Sequence, residues 1–308
     1  MNKSGENLIK FYIELPSDCR EIGQNIMNAV FQAGFMMDKS SEGSILFTGY
    51  SSSSDYLSKE VWSRLHNLLE LNRSDIIKAG GYSLRRQHSK RTDWNEKWKS
   101  NFKSKKIGSN WIVIPAWEAD KQNLVGSKKT KKGDRFPIIL EPGVAFGSGH
   151  HPSTILVLTE LGRLIKNPIK INSFLDAGCG SAVLSIAAAH LNIPRVKAVD
   201  VDELSIKNAE RNIKLNRMED RIELNKNDIN RIDTQEEYDL IAANCLPQIH
   251  RDIMPRLTNL LTEEGRLLVG GILLQHLRKI GRNIEEHNLT IDWKLVRDGW
   301  WLLSCSRS

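Results

Sequence analysis

The chain has 308 residues, 40% of them hydrophobic, and a formal charge of +7, enough for two domains with cores of their own. No run approaches the roughly 18 apolar residues of a membrane span. No apolar signal region follows the opening Met1-Asn-Lys-Ser-Gly-Glu, so a cytoplasmic protein away from membranes is the expectation. Cys19, Cys179, Cys245 and Cys305 lie far apart with no Cys-x-x-Cys, which argues against a disulfide framework and against zinc. The charge is uneven: residues 1–92 hold 12 Lys/Arg against 10 Asp/Glu, residues 93–137 hold 11 against 5, and residues 138–308 hold 21 against 22. A central basic excess suits a solvated surface and a weak RNA contact equally well.

In chain order, residues 8–15 alternate as a strand that Pro16 stops. Asp18 can cap a helix carrying Ile22, Ile26, Ala29, Val30 and Ala33 on one face, closed by Gly34. Strands follow near Phe35–Met37 and Ile45–Tyr50, then a helix with Leu57, Val61, Leu65, Leu68 and Leu69 on one face, and a strand at Tyr82–Gln87. The order βαββαβ predicts a small ferredoxin-like α+β domain over residues 1–90, with no clustered acid, base or metal ligand.

Residues 91–137 read as a linker helix and a basic hairpin. Trp94, Trp98 and Phe102 recur every fourth residue, as an interdomain packing stripe would. Trp111–Trp117 and Phe136–Leu140 read as paired strands around the exposed tip Lys128-Lys-Thr-Lys-Lys. A second glycine-rich loop, Val144-Ala-Phe-Gly-Ser-Gly-His-His-Pro-Ser-Thr, then opens a helix at Pro152. His150 and His151 are adjacent and have no spaced acid or cysteine partner, so no metal site is expected.

From residue 152 helices and strands alternate: helix 152–166, strand 171–175, helix 181–191, strand 195–200, helix 203–216, strand 221–225, strand 238–243, helix 248–261, strand 266–270, helix 274–287, and strands near 290–297 and 300–305. Alternation of this kind predicts an α/β, Rossmann-like domain over residues 138–308, a mainly parallel sheet ending in a hairpin. Ligands of such sheets bind at the carboxyl ends of the strands, where Gly178, Asp200 and Asn244 fall.

The turn Asp176-Ala-Gly-Cys-Gly joins a short apolar strand to an apolar helix, and its glycines let backbone approach a ligand. Asp200, twenty-two positions after Gly178 at the end of the next strand, is placed to accept ribose hydroxyls. After Gly180 come Ser181, Ala182 and Val183, so the dinucleotide spacing Gly-x-Gly-x-x-Gly fails, and no Gly-Lys-Ser/Thr occurs. An acidic glycine turn without a phosphate clamp suits a cationic, phosphate-free adenosine ligand, for which S-adenosyl-L-methionine fits best. Asn244, at a strand end, can accept a hydrogen bond from an amine and aim its lone pair at the methyl; the competing role is a helix cap.

Asp93-Trp-Asn-Glu-Lys-Trp, Trp111-Ile-Val-Ile-Pro-Ala-Trp, Phe146-Gly-Ser-Gly-His-His-Pro-Ser-Thr, Asp176-Ala-Gly-Cys-Gly-Ser, Ala198-Val-Asp-Val-Asp and Ala243-Asn-Cys-Leu together resemble the PrmA-type methyltransferases. These modify amino groups of the large-subunit ribosomal protein numbered eleven. The resemblance implies a seven-stranded S-adenosylmethionine-dependent methyltransferase sheet behind a ferredoxin-like substrate-recognition domain. It also implies a monomer acting on lysine and/or N-terminal amines. Thr154, Gly178, Asp200 and Asn244 match the family's cofactor-binding positions, with Asn244 also catalytic. Phe146, Gly147, Gly180 and Asp228 complete the expected cofactor site. Two departures stand out: Ala182 where the family usually has glycine, and Cys245 in place of a larger aliphatic residue. They keep two alternatives open, an inactive ribosome-binding or assembly factor of the same fold and a lysine methyltransferase with another protein substrate.

Overall fold

Alternate apolar residues of the first strand, Ile9, Phe11, Ile13 and Leu15, are all buried and form the inner face of an N-terminal sheet. In the computed structural model, which describes residues 8–31, 35–40, 43–52, 55–89, 103–121, 135–141, 149–164, 170–233 and 235–308, the chain divides into two compact units, Met1–Lys103 and Ser104–Ser308. The first unit runs β1 (Leu8–Pro16), α1 (Arg20–Val30), β2 (Met36–Lys39), β3 (Ser44–Ser52), α2 (Asp55–Leu71), α3 (Arg73–Ala79) and β4 (Ser83–Ser89). Its sheet has the order β2-β3-β1-β4, with every pairing antiparallel. Met27 and Val30 from α1 and Val61, Leu65 and Leu69 from α2 fill the core beneath it.

Two local expectations change here. Asp18 does not cap α1: it lies in a 3-10 turn, Ser17–Cys19, and Cys19 takes the N-cap position with no side-chain hydrogen bond. Pro16 ends the strand and the chain turns once more before α-helical bonding begins. The short helix α3, absent from the sequence reading, is stopped by Gly80 at φ +126°, a conformation that favours glycine. The Trp94, Trp98 and Phe102 stripe and the Lys128–Lys132 tip lie outside the described residues.

The second unit begins with β5 (Lys105–Ile107), β6 (Trp111–Pro115), α4 (Ala116–Lys121) and β7 (Phe136–Leu140). The basic hairpin is corrected: β6 and β7 pair in parallel, and Trp117 belongs to α4. Ile107, Trp111, Val113, Ile138 and Leu140 enter the same apolar cluster as the residues that follow, and the Trp111 indole N–H donates to the Leu158 carbonyl at 2.6 Å. The segment from Ser104 onward therefore packs as part of this unit instead of standing apart as a linker.

A seven-stranded sheet of order β10-β9-β8-β11-β12-β14-β13 organises the rest. Its strands are β8 (Ser173–Ala177), β9 (Arg195–Asp200), β10 (Ile222–Lys226), β11 (Tyr238–Asn244), β12 (Leu261–Leu273), β13 (Leu289–Arg297) and β14 (Trp300–Arg307). The pairings from β10 across to β12 are parallel, and those of β14 are antiparallel. Adjacent strand residues feed opposite faces, as the two-residue period demands. Phe174, Leu240, Ala242 and Leu268 join the side carrying α5 (Pro152–Leu164), α6 (Val183–His190) and α7 (Glu203–Leu215). Leu175, Ile241, Ala243 and Leu267 join the side carrying α8 (Pro247–Asn259) and α9 (Leu274–Glu286). Strands covered on both faces read as near-continuous apolar runs, which is why this half of the chain announces itself so clearly.

Candidate functional site

The glycine turn after β8 is stitched to the end of β9. Gly178 N–H and Cys179 N–H donate to the Val199 carbonyl at 2.9 and 3.0 Å, and Gly180 N–H donates to Asp200 Oδ2 at 2.9 Å. Gly178 has φ +78° and a Cβ there would meet nothing within 4 Å. The turn thus presents bare backbone to open space, a surface a ligand can approach closely. Asp200 Oδ1 also accepts the Asp202 N–H at 2.9 Å, and burial raises its carboxyl pKa. Asp176 lies beneath the turn, buried, accepting Ser185 N–H at 3.1 Å and Ser185 Oγ–H at 2.6 Å. Burial pushes its carboxyl up to about 7. A buried carboxyl, Asp176, and a half-buried one, Asp200, beside an open backbone turn favour a cationic ligand, which lowers the cost of keeping them ionised.

Asn244 ends β11 and is 5% exposed. Its Nδ2 makes a long contact of 3.5 Å to Thr154 Oγ1, a buried hydroxyl in the first turn of α5. Its Oδ1 is buried and accepts no hydrogen bond from the described residues. A helix-capping role is ruled out by position, because the N-cap of α8 is Leu246. An orphaned buried acceptor is costly, so the structure holds at Asn244 an oxygen waiting for a donor.

Asp228 reaches the same strand-end edge, since Asn227 N–H donates to the Asp200 carbonyl at 3.1 Å. Its own carboxylate caps a 3-10 turn through Asn230 N–H at 2.9 Å. Phe146 and Gly147 lie outside the described residues. The structure therefore brings together Gly178, Gly180, Asp200 and Asp228 at one edge, and Thr154 with Asn244 at the other. All belong to the carboxyl ends of the parallel strands and the helix starts beside them.

The ribosomal protein L11 methyltransferase (PrmA) family matches residues 30–308. The chain belongs to this family. It is 34% identical to the ribosomal protein L11 methyltransferase of Lactobacillus johnsonii over 224 residues, 73% of this chain and 67% of the relative. The Staphylococcus carnosus relative of the same name is 30% identical over 250 residues, 79% of this chain and 74% of that one. The crystal structure of ribosomal protein L11 methylase from Lactobacillus delbrueckii subsp. bulgaricus superposes with TM-score 0.59 and 31% identity, covering 67% of this chain and 100% of that one.

Within this chain the sequence reading missed His250 and Gly270, and it did not foresee the contacts of Cys245 and His151. His250 of α8 is fully buried; its Nε2 hydrogen-bonds the Gly270 carbonyl at 2.7 Å, and burial holds its pKa down at about 4. A Cβ on Gly270 would stand 2.8 Å from Asn244 Oδ1, so the amide rests directly on that glycine. Cys245 Sγ lies 3.6 Å from His250 Nδ1, and burial pushes the thiol pKa up; the thiol serves as packing, not as a nucleophile. His151 accepts the Ser153 N–H on Nδ1 at 3.3 Å and packs edge-on to Trp300 at 4.5 Å. A visible signal existed for Gly270, a Gly270-Gly271 pair in an apolar run. Ala182, the N-cap of α6, has φ 61° and is fully buried. A left-handed backbone there explains why glycine suits the position. Among the described residues no group of three metal-ligating side chains occurs.

Proposed function

We propose that the protein transfers methyl groups from S-adenosyl-L-methionine to lysine and/or N-terminal amines of ribosomal protein L11. Family membership sets the reaction class, and the buried Asn244 Oδ1, without a donor among the described residues, is the observation that carries the chemistry. The cofactor supplies an already activated methyl on a sulfonium. The chain's residues then have to bind, orient and exclude water. Asp200 would accept from the ribose and the Gly178–Gly180 backbone would line the adenosine side, with Thr154 and Asp228 beside them; the family resemblance adds Phe146 and Gly147 to the residues that would hold the cofactor. Asn244 Oδ1 accepts a hydrogen bond from the incoming amine and directs its lone pair at the methyl. The amine sheds its proton to water before attack, helped by desolvation, which disfavours the ammonium form.

In this reading residues 1–90 form a ferredoxin-like substrate-recognition domain, supported by the sheet order β2-β3-β1-β4. The seven-stranded unit carries out transfer, and the protein works as a monomer in the cytoplasm; no described helix is long and apolar enough to cross a membrane. The test is incubation of the protein with radiolabelled S-adenosylmethionine and a ribosome-free lysate, with label located by gel and mass spectrometry. Label on L11 supports the proposal. Tight cofactor binding without label would instead support an inactive assembly factor, and label on a different protein a changed substrate.

A further inference from the structure

The glycine turn after β8 is held from two sides. On one side Gly180 N–H donates to Asp200 Oδ2 at 2.9 Å, and Asp200 Oδ1 accepts the Asp202 N–H at 2.9 Å. Asp202 caps α7, accepting Ser205 N–H at 3.1 Å and Ser205 Oγ–H at 2.9 Å. The other side of the turn is reached further along the same helix. Asn212 is fully buried; its Nδ2 donates to the Ser181 carbonyl at 3.0 Å, and its Oδ1 accepts the Glu141 N–H, just past β7, at 2.7 Å. One helical turn on, Asn216 also uses both ends of its amide, but on a single residue of β7. Its Oδ1 accepts the Ile139 N–H at 2.9 Å, and its Nδ2 donates to the Ile139 carbonyl at 2.7 Å. Both asparagines tie α7 to the end of β7; of the two, Asn212 alone also grips the turn.

That grip falls at a strained place. Ala182, next to Ser181, holds φ 61° and is fully buried, a conformation that costs an L-residue energy that glycine is spared. Its φ is set between the Ser181–Ala182 peptide and the start of α6, where Ile186 N–H donates to the Ala182 carbonyl at 2.9 Å. The helix fixes one side of that angle. Asn212, holding the Ser181 carbonyl, fixes the other. With the bond gone the peptide can rotate toward an ordinary φ, and the Gly178–Gly180 backbone just before it turns with it.

We propose that Asn212 is a positioning residue for S-adenosylmethionine: its amide keeps Ala182 left-handed and so holds the glycine turn in the shape that receives the cofactor. A buried amide suits this task, because it offers a donor to one segment and an acceptor to another at once. The inference rests on the cofactor lying against the Gly178–Gly180 backbone, and it is independent of which amine receives the methyl.

The test is calorimetry of S-adenosylmethionine binding to the full chain, with urea unfolding of each variant alongside. Asn212→Ala should weaken binding about tenfold, the scale of one lost buried hydrogen bond. Asn216→Ala should lose stability as well, yet bind within about twofold of the parent, since it does not touch the turn. With Ala182→Gly in place the left-handed backbone is no longer strained, and adding Asn212→Ala should weaken binding by about threefold or less. A residue that served the fold alone would behave as Asn216 does, or would lose the same affinity with either residue at position 182; each result overturns the proposal. So would Asn212→Ala variants that fail to fold with either residue there. Folding of Asn212→Ala only alongside Ala182→Gly would support it, because the amide would then be needed for the strained backbone alone. Asp200→Ala separates a wrong role from a wrong site: affinity lost in Asp200→Ala but kept in Asn212→Ala overturns this inference alone, whereas affinity kept in both removes the cofactor from the turn.

Discussion

Gly271→Ala tests how the end of β11 is held. The residue has φ +74°, and a Cβ there would lie 2.3 Å from the Cys245 carbonyl oxygen and 3.1 Å from its carbon. The obstruction is backbone, so no side chain can swing aside. Gly299 supplies an internal control, with φ +78° and nothing within 4 Å. An L-residue in this region costs about 1–2 kcal/mol, offset by roughly 0.4–1 kcal/mol from the less flexible unfolded chain. Gly299→Ala should therefore cost between about 0 and about 1.6 kcal/mol. Gly271→Ala carries the same terms plus about 1–3 kcal/mol for overpacking. Urea unfolding followed by tryptophan fluorescence, with the m-value unchanged, measures both. Turnover should fall in Gly271→Ala alone, because moving the Cys245 carbonyl moves Asn244. Equal losses of stability in the two variants would refute the view that the Gly270–Gly271 bend, where β12 shifts register against β14, seats the Asn244 amide.

Asp200→Ala should weaken S-adenosylmethionine by roughly 1.5–3 kcal/mol, the range for a hydrogen bond with a charged partner; unchanged affinity by calorimetry in a folded variant would remove Asp200 from the pocket. Asn244→Ala should cut turnover far more than cofactor affinity, since its amine contact matters most as the transition state forms, and turnover surviving within a few-fold would withdraw its role. Stability should depend on pH with opposite signs at two buried groups. Asp176, raised from 3.8 to about 7, contributes stability that is full below the lower value and lost as pH rises through the higher, so Asp176→Asn flattens that loss. His250, lowered from 6.5 to about 4, contributes stability present above the higher value and lost as pH falls through the lower, so His250→Gln flattens the acid side. Denaturation midpoints between pH 4 and 8 check both slopes; slopes equal to the parent's would show that neither group titrates as its burial dictates.

The parallel strands and their helices were legible in the sequence because burial on both faces leaves near-continuous apolar runs. Asp200, placed by its distance from Gly178, does meet the glycine turn, at Gly180 N–H. The pairing of Thr154 with Asn244 spans 90 positions; a local pattern shows that each ends or opens an element, and only the sheet order makes them neighbours. The direction of β7 beside β6 was misread for a related reason, since two strands flanking a basic turn satisfy the hairpin pattern whichever way the chain returns. His250 gave no signal at all. A lone histidine on a helix becomes informative only when the carbonyl it holds, Gly270, is known to lie under the amide of Asn244. The left-handed Ala182 was noticed as a departure from glycine, while its cause is a backbone angle that composition does not carry.

Intact-mass spectrometry decides whether methyl transfer to L11 occurs. Purified L11 would be incubated with the protein and S-adenosylmethionine, with the Asn244→Ala variant as control. L11 should gain whole methyl increments, mapping to lysine or N-terminal nitrogen, and the variant should add few or none. An unmodified L11 mass from a protein that binds the cofactor tightly would contradict it.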